Sequence, residues 1–92
     1  MAKLSDAEIE QRLEHAPGWQ RVGDAIERQW TLADFAAAIA FVNRVAGLAE
    51  QANHHPDISV RGWNKVALTL STHSEGGLTD ADFKLASGID TL

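Results

Sequence analysis

The histidines are the residues whose type and spacing point most directly to chemistry. Three of the four lie within twenty residues of one another: His54 and His55 precede Pro56, and His73 follows. Imidazole exchanges protons near neutral pH, so a converging pair could act as acid and base. A histidine that ends a helix can also simply interact with the helix dipole, and this structural role stays open for His54 and His55.

A metal centre is a weaker interpretation of the same residues. Adjacent histidines strain to reach one ion, and the chain has neither cysteine nor an HExxH motif to supply further ligands. We therefore expect proton transfer without a metal.

Two carboxylates could assist the histidines. Glu50 lies four residues before His54, where on one helix face it could orient the imidazole, favour its cation or form an ordinary surface pair. Asp82 stands three residues after Thr79, which is the spacing of a helix capping box. This spacing favours capping over a functional role for Asp82. The tryptophans, Trp19 among them, could stack on a planar ligand, although core packing is their usual role.

Caps, breakers and periodicity predict the elements that position these side chains. Three pairs have the spacing of helix starts: Ser5 with Glu8, Thr31 with Asp34, and Thr79 with Asp82. The helices are predicted over 5–15, over 31–54 and from 79 onward, and alternating patterns predict strands at 19–22, 25–31, 57–63 and 65–73. The order α-ββ-α-ββ-α indicates one α+β domain over residues 1–92, a two-layer sandwich whose helices cover one face of a four-stranded antiparallel sheet.

The last two predicted strands constrain their own connection. A two-residue loop at 64–65 would place Arg61 opposite Leu68 and so mix polar with apolar positions on one face. We therefore expect a loop of odd length or a bulge, with Gly62 as its site because glycine tolerates unusual backbone angles.

The helix predicted over 31–54 carries two apolar stripes. One stripe comprises Phe35, Ile39, Val42 and Ala46, and the other comprises Phe41, Val45 and Leu48. The combined apolar arc exceeds what packing on one sheet face requires. We expect one side to cover the sheet and the other to contact a partner subunit. If the stripe of Phe41 and Leu48 is the contact, replacing either residue by a charged one should weaken association.

Composition limits the remaining function classes. The net charge of −5 repels phosphate backbones, so we expect no nucleic acid partner. No run of 18 apolar residues occurs and no apolar segment follows Lys3, so neither membrane insertion nor secretion is expected. The absence of cysteine favours a cytoplasmic protein.

The site residues resemble a family signature. Residues 50–56, EQANHHP, followed by Trp63, His73 and Asp82 at this spacing, are similar to the pterin-4a-carbinolamine dehydratases. The similarity also includes GW at 18–19, NKV at 64–66, LSTH at 70–73, GL at 77–78 and LA at 85–86, and so covers nearly the whole chain. Residues 58–63 form a slightly longer segment than in the vertebrate members.

The resemblance implies a hydro-lyase that acts on 4a-hydroxytetrahydropterin, the product left when an aromatic amino acid hydroxylase uses its tetrahydropterin. Water leaves from C4a and quinonoid dihydropterin forms, which returns the pterin to tetrahydrobiopterin metabolism. One proton goes to the departing hydroxyl and another leaves the adjacent ring nitrogen, and imidazoles can transfer both without a metal or organic cofactor. Dimers or tetramers formed through sheet edges and the long helix are also implied.

The resemblance further implies a role for each matching residue. His54 and His73 match acid/base histidines, whereas His55 matches one that mainly holds substrate. Trp19 matches a residue that lines the pterin pocket. The other matches are substrate-contacting or supporting residues: Glu50, Pro56, Thr72, Ser74, Glu75 and Asp82.

A binding module is the alternative from another class of function. Vertebrate relatives also act as dimerisation cofactors of a homeodomain transcription factor, which implies a coactivator-like role that keeps the fold. A scaffold that has lost its chemistry is a third interpretation. The presence of all three histidines together with Glu50 and Asp82 argues against this third interpretation.

Overall fold

The computed structural model describes residues 2–92, which form three α-helices and one four-stranded sheet. The elements are α1 (Asp6–Leu13), β1 (Gln20–Val22), β2 (Ala25–Thr31), α2 (Phe35–Ala52), β3 (Asp57–Arg61), β4 (Lys65–Leu70) and α3 (Asp80–Ile89). All strand pairs are antiparallel, in the spatial order β1-β2-β4-β3. The predicted element order and α+β class are confirmed. Within residues 2–92 no helix has the length and apolar character needed to cross a bilayer.

The core lies between one face of the sheet and the helices. Even-numbered residues of β2 and β4 supply its sheet side, since alternate side chains of a strand share a face: Ile26, Val66, Leu68 and Leu70. From α2, Phe41 and Val45 are buried, and the Phe41 ring centre lies 5.0 Å from that of Trp30 on β2. Helix α2 thereby covers the sheet with the stripe that contains Phe41.

The other stripe of α2 faces outward. Phe35 is 56% exposed and Ile39 is 37% exposed, whereas Phe41 is 3% exposed. Leu48 is half-buried and packs against the core. The exposed apolar stripe is therefore that of Phe35 and Ile39, and the buried side chain of Phe41 is unsuitable for a test of association.

Helix α2 begins later than predicted. Thr31 is the last residue of β2 and pairs with Lys65 of β4, so it is committed to the sheet. Asp34 is itself the N-cap, and its side chain accepts a hydrogen bond of 2.8 Å from the Ala37 N–H. The predicted helix start at Thr31 is wrong because strand pairing takes precedence over the local capping pattern of Thr31 and Asp34.

The turn between β3 and β4 has the odd length that the register requires. The pairs across this hairpin put apolar opposite apolar residues: Ile58 with Leu68 and Val60 with Val66. Three residues join the strands, and two of them have positive φ, 53° at Gly62 and 62° at Trp63. Strand β3 therefore ends at Arg61 and not at residue 63, and Trp63 is an exposed turn residue.

Helix α1 starts with the predicted capping box. The Ser5 N–H donates to Glu8 Oε1 at 2.9 Å, and the Glu8 N–H donates to Ser5 Oγ at 3.2 Å. The bond from the Ser5 backbone is the main cause that lowers the pKa of the Glu8 carboxyl below its ordinary value. A lowered carboxyl pKa stabilises the folded state at any pH above the ordinary pKa of the group. This stabilisation is lost as the pH falls through the lowered pKa.

We expect Glu8→Gln to remove this pH dependence of stability. Glutamine retains an acceptor for the box but has no proton to gain. The native chain should have the higher Tm at about pH 7, and its advantage should shrink towards about pH 3, below the usual glutamate range. Thermal unfolding of both proteins across this interval measures the effect. An advantage that stays constant with pH would contradict the prediction.

Candidate functional site

The end of α2 directs its two histidines away from the helix. Asn53 adopts the left-handed conformation, with φ 49° and ψ 43°, which asparagine tolerates better than most residues. The His54 N–H still donates to the Ala49 carbonyl at 3.0 Å, and Pro56 cannot continue the helix. The helix, predicted to extend to residue 54, therefore ends at Ala52. The chain changes direction there, so His54 and His55 lie outside the helix.

His54 contacts the buried carboxylate of Asp82. Its Nε2 lies 2.5 Å from Asp82 Oδ1. The His54 side chain is 15% exposed and that of Asp82 is completely buried. This contact joins the end of α2 to the first turn of α3. Because the pair is buried, solvent and salt screen it much less than they screen a surface pair.

Glu50 pairs with His55 rather than with His54. Its Oε2 contacts His55 Nε2, and both side chains are more than half exposed. The expected contact between Glu50 and His54 is absent because the left-handed residue Asn53 breaks the helical spacing on which it depended. Each of the two histidines therefore has its own carboxylate, one buried and one in solvent.

Asp82 acts both as a helix cap and as a partner of histidine. In the capping box its Oδ2 accepts the Thr79 N–H at 2.9 Å. The same oxygen accepts the Thr72 hydroxyl at 2.8 Å, while Oδ1 faces His54. A carboxylate has about four lone-pair sites, so one side chain can serve all three partners. The capping role that the spacing favoured is confirmed, and the role of Asp82 in a substrate site stays a prediction.

The segment after β4 begins at this network. Strand β4 ends at Leu70 and not at residue 73, and the Thr72 N–H donates to the Gly77 carbonyl at 2.9 Å. Residues His73–Glu75 form a single 3₁₀ turn in which all three side chains are exposed. Within the described chain the His73 imidazole makes no hydrogen bond. His73 is thus exposed to solvent, and it belongs to a different part of the chain from His54.

Trp19 lies elsewhere in the fold. It is buried, its ring centre is 5.7 Å from that of Trp30, and its Nε1–H donates to both oxygens of Asp90 at 3.0 Å. Asp90 caps the C-terminus of α3 whereas Asp82 is in its first turn, so the two residues are about 12 Å apart along the helix axis at 1.5 Å per residue. The structure does not bring Trp19 to the His54 network, and its pocket-lining role stays a prediction.

A cavity of about 570 Å³ borders His54 between α2 and α3. Its walls include Leu48 and Leu85, with Gln51 and Lys84 as polar members. This volume lies within the range of small-molecule sites. His55 and His73 do not line it. Gln51 and Lys84 were not among the predicted site residues, since helical periodicity places them on a polar face and gives no sign of a groove between two helices.

Thr79 also has contacts in the site that the sequence did not predict. The sequence identified it only as a cap, yet its hydroxyl also lies 2.9 Å from that of Thr72. No local pattern links the two threonines, because the turn between them sets their distance. In the part of the chain that the structure describes, no three His, Asp or Glu side chains converge on a metal position. Activity without a metal stays a prediction.

The fold and the site define a class of small α+β protein in which a histidine after the long helix is held by a buried, helix-capping carboxylate. The family model described as "Pterin 4 alpha carbinolamine dehydratase" matches residues 2–92. The chain belongs to the pterin 4 alpha carbinolamine dehydratase family, and the resemblance of the signature residues is confirmed.

Similar proteins occur in several bacteria. A protein of Roseiflexus sp. (strain RS-1) is 56% identical over 90 residues, which cover 98% of this chain and 96% of the relative. A protein of Thermosynechococcus vestitus is 50% identical over 90 residues, covering 98% and 94% of the two chains. Both are named after pterin-4-alpha-carbinolamine dehydratase.

Two solved structures share the fold. A transcriptional coactivator/pterin dehydratase from Brucella melitensis has a TM-score of 0.90 and 36% identity, covering 97% of this chain and 96% of that one. A pterin dehydratase-like protein identified as a RuBisCO assembly factor in the alpha-carboxysome has a TM-score of 0.65 and 24% identity, with coverage of 79% and 83%. The second likeness concerns the fold alone.

We expect the two histidine-bound acids to differ sharply in their contribution to stability. Asp82→Ala removes a cap and leaves buried donors unpaired, so it should cost about 2–4 kcal/mol. Glu50→Ala, the matched control, removes only an exposed pair and should cost less than about 1 kcal/mol. Urea unfolding of both variants measures the difference. Equal losses would show that the Asp82 network contributes no more than a surface contact.

Proposed function

We propose that this protein is a hydro-lyase that converts 4a-hydroxytetrahydropterin to quinonoid dihydropterin and water. The observation that carries the proposal is His54 held by buried Asp82, because an imidazole fixed at one nitrogen is available for proton transfer at the other. Family membership supports the substrate class. A dehydratase assay with enzymically generated 4a-hydroxytetrahydropterin tests it, and a folded protein without turnover would refute it.

The proposed reaction needs two proton transfers. The bond from C4a to the hydroxyl oxygen breaks as the oxygen takes a proton, and the adjacent ring nitrogen gives up its proton as a C=N bond forms. Histidine side chains are suited to both transfers at near-neutral pH. His54 follows α2 and His73 begins the turn after β4, so the two approach a ligand from different elements. We assign them to hydroxyls that leave from opposite faces of the pterin.

Other residues of the site are proposed to hold the substrate. His55 is exposed beside Glu50, so its imidazole is accessible to a polar ligand. Ser74 and Glu75 are exposed in the turn of His73. By family resemblance Trp19 and Pro56 complete this set.

The setting we propose is tetrahydropterin recycling in the cytoplasm, beside an aromatic amino acid hydroxylase that generates the substrate. No organic cofactor is part of the proposal. A coactivator-like binding role is the alternative, and the name of the Brucella melitensis structure joins both activities for that protein. The buried pairing of His54 with Asp82 favours the enzyme, since a dimerisation surface needs no such imidazole.

We expect the two acid/base histidines to serve different stereoisomers of the substrate. His54→Ala and His73→Ala should each slow mainly one isomer, with kcat lower by about 10²–10⁴-fold and KM little changed. The double variant should lose activity on both. His55→Ala should instead raise KM more than it lowers kcat.

Steady-state kinetics with each isomer measures these effects. Thermal unfolding of each variant must accompany the kinetics, because truncating the largely buried His54 side chain can also destabilise the chain. Folded single variants that keep full kcat on both isomers would refute the acid/base assignment.

We expect dehydration to proceed without a metal. Proton transfer suffices for the reaction, and adjacent histidines chelate one ion poorly. Exhaustive treatment with EDTA should leave the rate unchanged. A rate that falls on chelation and returns with zinc would reverse the assignment.

We propose that the chain forms a homo-oligomer, a dimer or tetramer, through the outward stripe of α2. Phe35→Glu or Ile39→Glu should weaken association, because each places charge on an exposed apolar stripe. Ala40→Glu is the matched control, since Ala40 is exposed on the polar side of the same helix. Light scattering at micromolar concentration measures the mass. A native monomer of 10.0 kDa would contradict the proposal.

A further inference from the structure

The hydroxyl of Thr79 has a defined direction of hydrogen bonding. Its Oγ1 accepts the Ala81 N–H at 3.3 Å and, in the capping box, the backbone N–H of Asp82. Backbone N–H groups can only donate, so these contacts occupy the acceptor sites of the oxygen. The Thr72 hydroxyl has one proton, which it donates to Asp82 Oδ2, so the proton between the two hydroxyls, whose oxygens are 2.9 Å apart, comes from Thr79.

The direction continues through Thr72 to Asp82. The Thr72 hydroxyl donates to Asp82 Oδ2 at 2.8 Å, and the Thr79 N–H donates to the same oxygen at 2.9 Å. Oδ1 is left for His54 Nε2, at 2.5 Å. An ionised carboxylate can only accept, so the proton on this contact belongs to Nε2 of the imidazole. The chain of bonds thus selects one tautomer of His54.

We propose that His54 is held as the Nε2–H tautomer and exchanges protons with substrate through Nδ1, with Thr72 and Thr79 as positioning residues that act through Asp82. The part about substrate rests on the proposed function of His54. Among the described residues none forms a hydrogen bond with Nδ1, which leaves that atom to a ligand. The hydroxyl of Thr72 is used within the protein, a different role from the substrate contact that the family resemblance implies.

Asp82→Asn tests the tautomer directly. The backbone N–H of Thr79 cannot reverse its direction, so the amide oxygen must occupy the Oδ2 position and its NH₂ must face His54. The imidazole then has to accept at Nε2 and carry its proton on Nδ1. The substitution nearly preserves shape while it inverts the tautomer, as the equivalent change does in the serine protease triad.

Nitrogen-15 NMR of the imidazole rings at about pH 9, above their usual titration range, reports the tautomer. We expect Nε2–H with bare Nδ1 in the native chain and Nδ1–H in Asp82→Asn. Glu50→Gln, which alters the carboxylate at His55, should leave the His54 signals unchanged. In Asp82→Asn, kcat for the isomer that His54 serves should fall by about 10²–10⁴-fold with little change in KM.

Thr72→Val and Thr72→Ser test the positioning role. Valine removes the hydroxyl and should lower kcat while KM stays nearly constant, and serine should restore kcat because it restores the donor to Asp82. A raised KM with unchanged kcat in Thr72→Val would overturn the positioning role and make Thr72 a substrate contact.

The outcomes separate this inference from the proposed function. Nδ1–H in the native chain, or the same tautomer in Asp82→Asn, overturns the inference even if the chain is an active dehydratase. If Asp82→Asn has the inverted tautomer and keeps full kcat on both isomers, proton exchange through Nδ1 is overturned together with the acid/base role of His54.

Discussion

The burial of the Asp82 carboxylate is the constraint on which the candidate site depends. An ionised carboxylate without solvent costs several kcal/mol unless donors surround it. Here the donors come from three separate places: His54 after α2, Thr72 after β4, and Thr79 at the start of α3. These chain segments must therefore converge for the charge to be tolerated. The position of the His54 imidazole is consequently fixed by the same contacts that stabilise the ends of the elements.

Packing of α2 and α3 over the sheet brings these donors together. Ala49 and Ala86 are buried on the two helices, and small side chains allow helices to approach closely. The end of α2 then lies beside the first turn of α3, where the capping box already directs Asp82 inward. His73 belongs to an exposed turn instead, so the site combines one fixed imidazole with others that are open to solvent.

Helix α2 shows what periodicity can and cannot predict. Its apolar residues predicted an amphipathic helix with two stripes, because a period of 3.6 residues is visible in the sequence. Periodicity does not tell which stripe meets the sheet. The Phe41 stripe does so because the Trp30 ring packs on it, and the Phe35 stripe is left exposed. The start of the helix was also misplaced, since pairing of Thr31 with β4 is a contact between distant residues.

The element order, the α1 and α3 capping boxes, the odd turn at Gly62 and the family could all be predicted from the sequence, since each depends on spacing along the chain or on residue type. The pairing of each carboxylate with its histidine could not be predicted, because it depends on how the chain folds. The left-handed Asn53 turns the chain out of the helical spacing, so Glu50 reaches His55 and not His54. His54 instead meets Asp82, 28 residues away, because a buried charge requires donors that packing alone can assemble.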